Sequence, residues 1–300
     1  MDNPGRHLPA AIRAQHRAED LARRLPPLLV EAERIAATVA QGAHGRRRVG
    51  TGETFWQFRR YQPGDAHNRI DWRQTGKSAH VFVRENEWEA AQTVWIWRDD
   101  SPSMNWRSGR GLSSKRERAD LVVLALAALL LRGGERVHLA GSDVPPSAAR
   151  SILPRLADWL TARADGHDGS GLPPAAVRLP RHAQAVLVGD LLSPLDDIQA
   201  AVARLAAMGV RGHLVQVLDP GEETLPYAGR IRFKGLEGEG ALLVPRVDGV
   251  RDAYLDRLAA QRDGLAAIAR AAGWTLTLHR TDKPPQAVLL SLWTALAGEG

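Results

Sequence analysis

No cysteine occurs among the 300 residues. That excludes disulfides, thiolate metal ligands and a thiol nucleophile, so any chemistry must use oxygen and nitrogen groups. A long apolar run is also missing. The strongest, Leu121 to Leu131, falls well short of the roughly 20 residues needed to span a bilayer. The opening Met1-Asp-Asn-Pro-Gly-Arg lacks the charged-then-apolar order of a secretory signal. From these absences we expect a cytoplasmic protein with no membrane span. Two catalytic motifs are absent as well. Thr75-Gly-Lys-Ser78 resembles the end of a phosphate-binding loop, but the glycine required five residues before Gly76 is Asp71. No Gly-x-Ser-x-Gly elbow occurs, so a serine hydrolase would lack its usual turn.

What is present suits one large domain plus an accessory region, at 44% hydrophobic and 25% charged residues. A formal charge of +6 and a pI near 10.2 leave nucleic acid or an anionic surface open as partners. Arginine vastly outnumbers lysine and alanine is abundant, a pattern that codon composition alone can produce.

Between Ala10 and Gln41, Ile12, Leu21, Leu25, Leu28, Leu29, Ile35 and Val39 are interleaved with charges. This predicts one or two amphipathic helices interrupted at Pro26-Pro27, an N-terminal lead-in over 1–45. Residues 46–91 read as a small β-rich segment, with strands from Thr54 to Tyr61 and from His80 to Trp88 around the turn signal Gln62-Pro-Gly-Asp65.

Over 92–300, strands alternate with helices. The predicted strands are Thr93–Trp97, Arg136–Ala140, Ala185–Gly189, Gly212–Leu218 and Trp274–Leu278. The predicted helices are Arg118–Leu131, Ile152–Ala164, Leu195–Met208, Asp252–Ala272 and Pro285–Leu296, with an inserted hairpin over Arg230–Val247. Such alternation implies an α/β fold with a doubly wound, mostly parallel sheet.

In such sheets ligands gather beyond the carboxyl ends of the strands. The first predicted strand of this region runs into Asp99-Asp-Ser-Pro-Ser103, an Asp-x-Ser-x-Ser pattern. A carboxylate and two hydroxyls offer only hard oxygen ligands, suited to Mg2+ or Mn2+. The same residues also suit a turn that caps the next helix. A second carboxylate, Asp190, ends the strand Ala185–Gly189, and two such strand ends can converge on one ion.

At this point the chain resembles the von Willebrand factor A fold. Its metal-ion-dependent adhesion site uses Asp-x-Ser-x-Ser after one strand, a threonine on a later loop and an aspartate on a later strand. The resemblance assigns Asp99, Ser101 and Ser103 to the first motif and Asp190 to the last. The place of the threonine falls in Asp165-Gly-His-Asp-Gly-Ser-Gly-Leu172, where Ser170 supplies a hydroxyl. A flexible connector is the competing reading of that glycine-rich loop.

Upstream, Arg59-Arg-Tyr-Gln-Pro-Gly-Asp-Ala-His-Asn-Arg-Ile-Asp-Trp-Arg73 resembles the signature of a bacterial family known as domain of unknown function 58, in which this segment leads into an A-like domain. Arg59, Tyr61, Gly64, Asp65, Arg69, Asp71 and Trp72 carry that likeness. Asp65 and Asp71 among the arginines suit charge-assisted bonds that lock a turn-rich unit around Trp72 as a packed anchor. A docking surface is the functional alternative.

The resemblance implies a non-enzymatic, divalent-metal-dependent protein-binding module, an adaptor or co-chaperone for a MoxR-type AAA ATPase or its client. The runner-up is nucleic-acid binding through Arg46-Arg-Arg48 and Arg59-Arg60 with Phe55, Trp56, Phe58 and Tyr61. A third reading is a structural scaffold with a vestigial metal site. Leu112 to Arg116 are expected on an exposed loop after the metal motif, open to a role in partner choice.

Overall fold

The computed structural model describes residues 27–42, 54–61, 70–77, 80–87, 93–163, 171–177 and 179–297. In chain order the helices are α1 (Pro27–Gly42), α2 (Trp72–Thr75), α3 (Lys115–Arg132), α4 (Leu153–Ala162), α5 (Leu195–Ala206), α6 (Pro220–Thr224), α7 (Arg251–Ala271) and α8 (Gln286–Ala297). The strands are β1 (Thr54–Arg60), β2 (Phe82–Glu87), β3 (Thr93–Arg98), β4 (Arg136–Leu139), β5 (Gln184–Gly189), β6 (Arg211–Leu218), β7 (Ile231–Lys234), β8 (Ala241–Val244) and β9 (Thr275–Arg280).

β5 is the centre of a five-stranded sheet of order β4-β3-β5-β6-β9, and every adjacent pair in it is parallel. A parallel sheet is covered on both faces, so its inner strands read as continuous apolar runs. All six residues of β5 are buried accordingly. The pleat sends alternate side chains to opposite faces. Val94, Ile96, Val186, Val188, Val215 and Val217 join one core with α1, α3, α4 and α8. Trp97, Ala185, Leu187 and Leu214 join another with residues of α5 and α7. The strand order reverses between β3 and β5, because β3 connects outward to β4 while the chain returns to β5 on its other side. That reversal opens a crevice at the carboxyl ends of these two strands.

α3 is apolar around most of its circumference, from Leu121 to Leu131. The reason is its position: the sheet covers one side, and α1 lies on the other with Leu29, Ala32, Ile35, Ala36 and Val39 turned inward. A helix apolar all round belongs in a core. The N-terminal helix is therefore a layer of the main domain core, and Pro27, its first described residue, suits a helix's first turn. α3 starts with a capping box, in which Ser114 and Glu117 satisfy each other's backbone N–H groups.

β1 and β2 pair antiparallel, with a register shift between Phe55 and Gln57. Of the upstream signature, Gly64, Asp65 and Arg69 lie outside the described residues, as do Arg46 to Arg48. Arg59 is placed on β1 opposite Val83, and Tyr61 continues the pairing by donating its N–H to the Val81 carbonyl at 2.9 Å. One expectation is corrected here. Trp72 is 70% exposed and is no buried anchor, because it opens the one-turn helix α2, which has no buried residue. Asp71 acts as that helix's cap, accepting from the Gln74 N–H at 2.9 Å.

Gly212 on β6 lies against the buried Trp274, whose indole N–H donates to the Val210 carbonyl at 3.0 Å. A Cβ at Gly212 would stand 2.2 Å from the indole ring. Gly212→Ala is therefore expected to cost about 2–3 kcal/mol of stability, measured by urea denaturation. A second expectation concerns His279 on β9. Burial, followed by the nearby Arg118 guanidinium, pushes its pKa down to about 4 from 6.5. The native state resists this proton, so the histidine's contribution is complete above pH 6.5 and is lost as pH falls from there towards 4. His279→Leu should flatten that part of the stability-versus-pH curve, read by urea midpoints across the window.

Candidate metal centre

β3 delivers Asp99 to the crevice. The Asp99 N–H extends the ladder to the Val188 carbonyl at 2.8 Å, and its Oδ1 accepts the Ser101 N–H at 2.9 Å. The loop then turns into a short 3-10 helix, Pro102–Asn105, with Met104 plugged beneath it. Neither serine caps that helix through its side chain as the alternative sequence reading allowed: Ser101 at its N-cap makes no such bond. The Ser101 and Ser103 hydroxyls lie 3.0 Å apart instead, and Ser103 Oγ donates to Asp190 Oδ2 at 2.7 Å. Asp190 follows β5, held by a bond from Leu192 N–H to its Oδ1 and by the Gln216 amide on its carbonyl. The structure thus brings Asp99, Ser101, Ser103 and Asp190 together at the switch point.

Gly189 makes this convergence possible, since a Cβ there would stand 2.7 Å from Asp99 Cβ and 2.8 Å from its Oδ2. Gly171 closes the other side, where a Cβ would meet Ser193 Oγ at 2.9 Å and Asp99 Oδ2 at 3.8 Å. Gly171 thus stands at this crevice, and Ser170, the residue before it, lies outside the described residues.

Behind the loop, buried arginines hold its carbonyls. Arg98 pairs with Asp120 at 2.9 Å and donates to the Asp99 carbonyl. Arg116 donates to the carbonyls of Asp100 and Ser101. The Asp100 side chain turns away to Arg163 at 3.1 Å. Arg116 and Lys115 are buried at the start of α3, which corrects the expectation of an exposed loop through Arg116. The capping box at Ser114 starts the helix earlier and drives both side chains inward.

Lys115 is the residue sequence reasoning missed. Its ammonium is buried between two carboxylates, 2.9 Å from Asp190 Oδ2 and 2.6 Å from Glu222 Oε1. Burial works to lower its pKa, but Asp190 and Glu222 outweigh it and the net shift is upward, so the lysine stays charged. Glu222 reaches the site from α6, where it forms a capping box with Asp219. The Asp219-Pro-Gly-Glu222 spacing carried that signal in the sequence.

Asp99 is the strained member. It is fully buried and its pKa is pushed up to about 6, first by burial and then by Asp190. Among the described residues its Oδ2 has no hydrogen-bond partner, and a buried carboxylate oxygen left unpaired is costly. A hard cation fits this arrangement. The donors are all oxygen, and adjacent ligands of an octahedral Mg2+ lie about 3.0 Å apart for bonds of about 2.1 Å, the spacing of the two serine hydroxyls.

The model of the family described as "Protein of unknown function DUF58" matches residues 57–264. The chain belongs to the DUF58 family. Among curated proteins it is 27% identical to uncharacterized proteins of Mycobacterium bovis and Mycobacterium tuberculosis, over 92% of this chain and 90% of theirs. Solved structures similar to this DUF58 protein include conserved hypothetical protein BatB from Bacteroides thetaiotaomicron, 14% identical, covering 69% of this chain and 100% of that one at a TM-score of 0.43. An aerotolerance-related membrane protein from Bacteroides fragilis is 16% identical, with 69% and 99% covered at a TM-score of 0.40. A membrane-spanning protein from Vibrio fischeri is 17% identical, with 69% and 98% covered at a TM-score of 0.21. The expectation of a cytoplasmic protein is withdrawn, because it equated a missing apolar run with a location; two of these similar proteins are described as membrane proteins. Among the described residues, no helix is long and apolar enough to cross a membrane.

Removing one partner of a buried ion pair strands the other charges. Lys115→Met is therefore expected to destabilise the DUF58 fold by about 3–5 kcal/mol. Adding Glu222→Gln should restore part of that loss, read by urea denaturation of the single and double variants.

Proposed function

We propose that this DUF58 protein is a non-enzymatic, divalent-cation-dependent protein-binding module with a von Willebrand factor A-like fold. In this reading it serves as an adaptor or co-chaperone for a MoxR-type AAA ATPase or its client. The observation that carries the cation site is Asp99 Oδ2, buried with no hydrogen-bond partner among the described residues, on the loop whose two serine hydroxyls stand 3.0 Å apart. Asp99, Ser101 and Ser103 would hold Mg2+ or Mn2+, with Asp190 beside them through Ser103 and Ser170 as the remaining hydroxyl the resemblance assigns. When bound, the cation would supply a localised positive charge able to accept a carboxylate oxygen from a partner. The residues of the chain orient that charge: Gly189 lets the strands approach, Arg98 and Arg116 fix the loop carbonyls, and Lys115 balances Asp190 from the rear. A binding role is further supported by the serine hydroxyls, which engage each other and Asp190 and not an imidazole base.

A ligand that binds only the native state stabilises it by mass action, about 2.7 kcal/mol at 100 times its dissociation constant. Mg2+ or Mn2+ should raise the melting temperature of the wild type and leave Asp99→Ala unchanged. Partner dependence is checked with the purified MoxR-type ATPase of the same organism, by a pull-down in Mg2+ and in chelator. Binding should require the cation and Asp99. Equal binding in chelator contradicts the proposal.

A further inference from the structure

We infer that Glu237, at the tip of the β7–β8 hairpin, caps the cation site in cis and stands where an acidic residue of a partner would enter. This rests on the cation-dependent reading above and adds a gate to it. The Ser103 backbone N–H, at the close of the Asp-x-Ser-x-Ser motif, donates to Glu237 Oε1 at 3.4 Å across 134 residues of sequence. Such a contact is long for a hydrogen bond, and Glu237 is exposed. A carboxylate held this loosely can leave.

The tip is built to aim that one side chain. The Gly235 N–H donates to the Gly240 carbonyl at 2.7 Å. Glu239 folds back to accept the Glu237 N–H at 2.9 Å, over Gly235, where a Cβ would stand 2.3 Å from its carboxylate. Gly238 supplies the left-handed turn between them at φ 92°. Of the two glutamates, Glu239 shapes the tip and Glu237 is left to reach Ser103.

Among the described residues β7 and β8 pair only with each other and contain no buried residue, an arrangement marginal in water without further packing. Tyr227 and Phe233 meet edge to face at 6.0 Å, and the Val247 N–H donates to the Gly229 carbonyl at 3.0 Å. Charge adds a dependence on the cation. Asp99 and Asp190 already face one another across the crevice, so a third carboxylate approaches more favourably once a cation is present. The hairpin then acts as an internal competitor, and a partner gains entry by displacing Glu237 with its own carboxylate.

The test uses the full chain loaded with Mn2+, with water-proton relaxation reporting the waters left on the ion and acetate as the carboxylate probe. Glu237→Ala should melt like the wild type, because the side chain is exposed. It should show higher relaxation enhancement than the wild type. It should also respond to acetate at about tenfold lower concentration, since an intramolecular competitor acts at millimolar effective concentration. If both proteins bind Mn2+ with the same enhancement and the same acetate response, the cap is overturned and the cation site stands. If neither binds Mn2+, both readings fall together.

Discussion

Two buried carboxylates at adjacent strand ends govern this molecule. Asp99 and Asp190 sit where the strand order reverses, and like charges out of water repel strongly. The fold brings them together because Gly189 has no side chain to keep them apart, and it relieves only one of them. Asp190 receives the Lys115 ammonium and the Ser103 hydroxyl. Asp99 keeps one oxygen without a partner among the described residues. The asymmetry is the local imbalance that a hard cation would remove.

The rest of the core serves that arrangement. α3 is buried by the sheet on one side and α1 on the other, so its axis is fixed and its first turn is held at the crevice. The Ser114–Glu117 box sets where the helix begins. Lys115 and Arg116, the first residues inside it, therefore project one towards Asp190 and Glu222 and the other onto the loop carbonyls. Stability and site are coupled through this one helix end. On the far side, Gln261 of α7 donates to the carbonyls of Leu191 and Ser193, fixing the loop after Asp190 in the same way.

Much of the fold was legible because each element follows one periodicity. The strands from Thr93, Ala185 and Gly212 are apolar runs bounded by turns, and the hairpin over Arg230–Val247 falls where expected. That Asp99, Ser101, Ser103 and Asp190 meet was legible because two of them follow directly on strands. Lys115 was not, since a lysine beginning an apolar helix reads as a solvated cap, and its burial depends on Glu222 from 107 residues away. Glu237 was hidden for a similar reason: a glycine-rich hairpin tip says nothing of what it touches. Trp72 erred in the opposite direction. A tryptophan among arginines suggests an anchor, but a one-turn helix capped by Asp71 leaves it facing water.

The most direct measurement is an anomalous difference map from a crystal of the protein soaked in Mn2+. A divalent-cation site requires a single strong peak at about 2.1 Å from Asp99 Oδ2 and the Ser101 and Ser103 hydroxyls, the distance expected of a small octahedral cation. An empty crevice in a crystal saturated with Mn2+, with Asp99 protonated or bonded elsewhere, would contradict it.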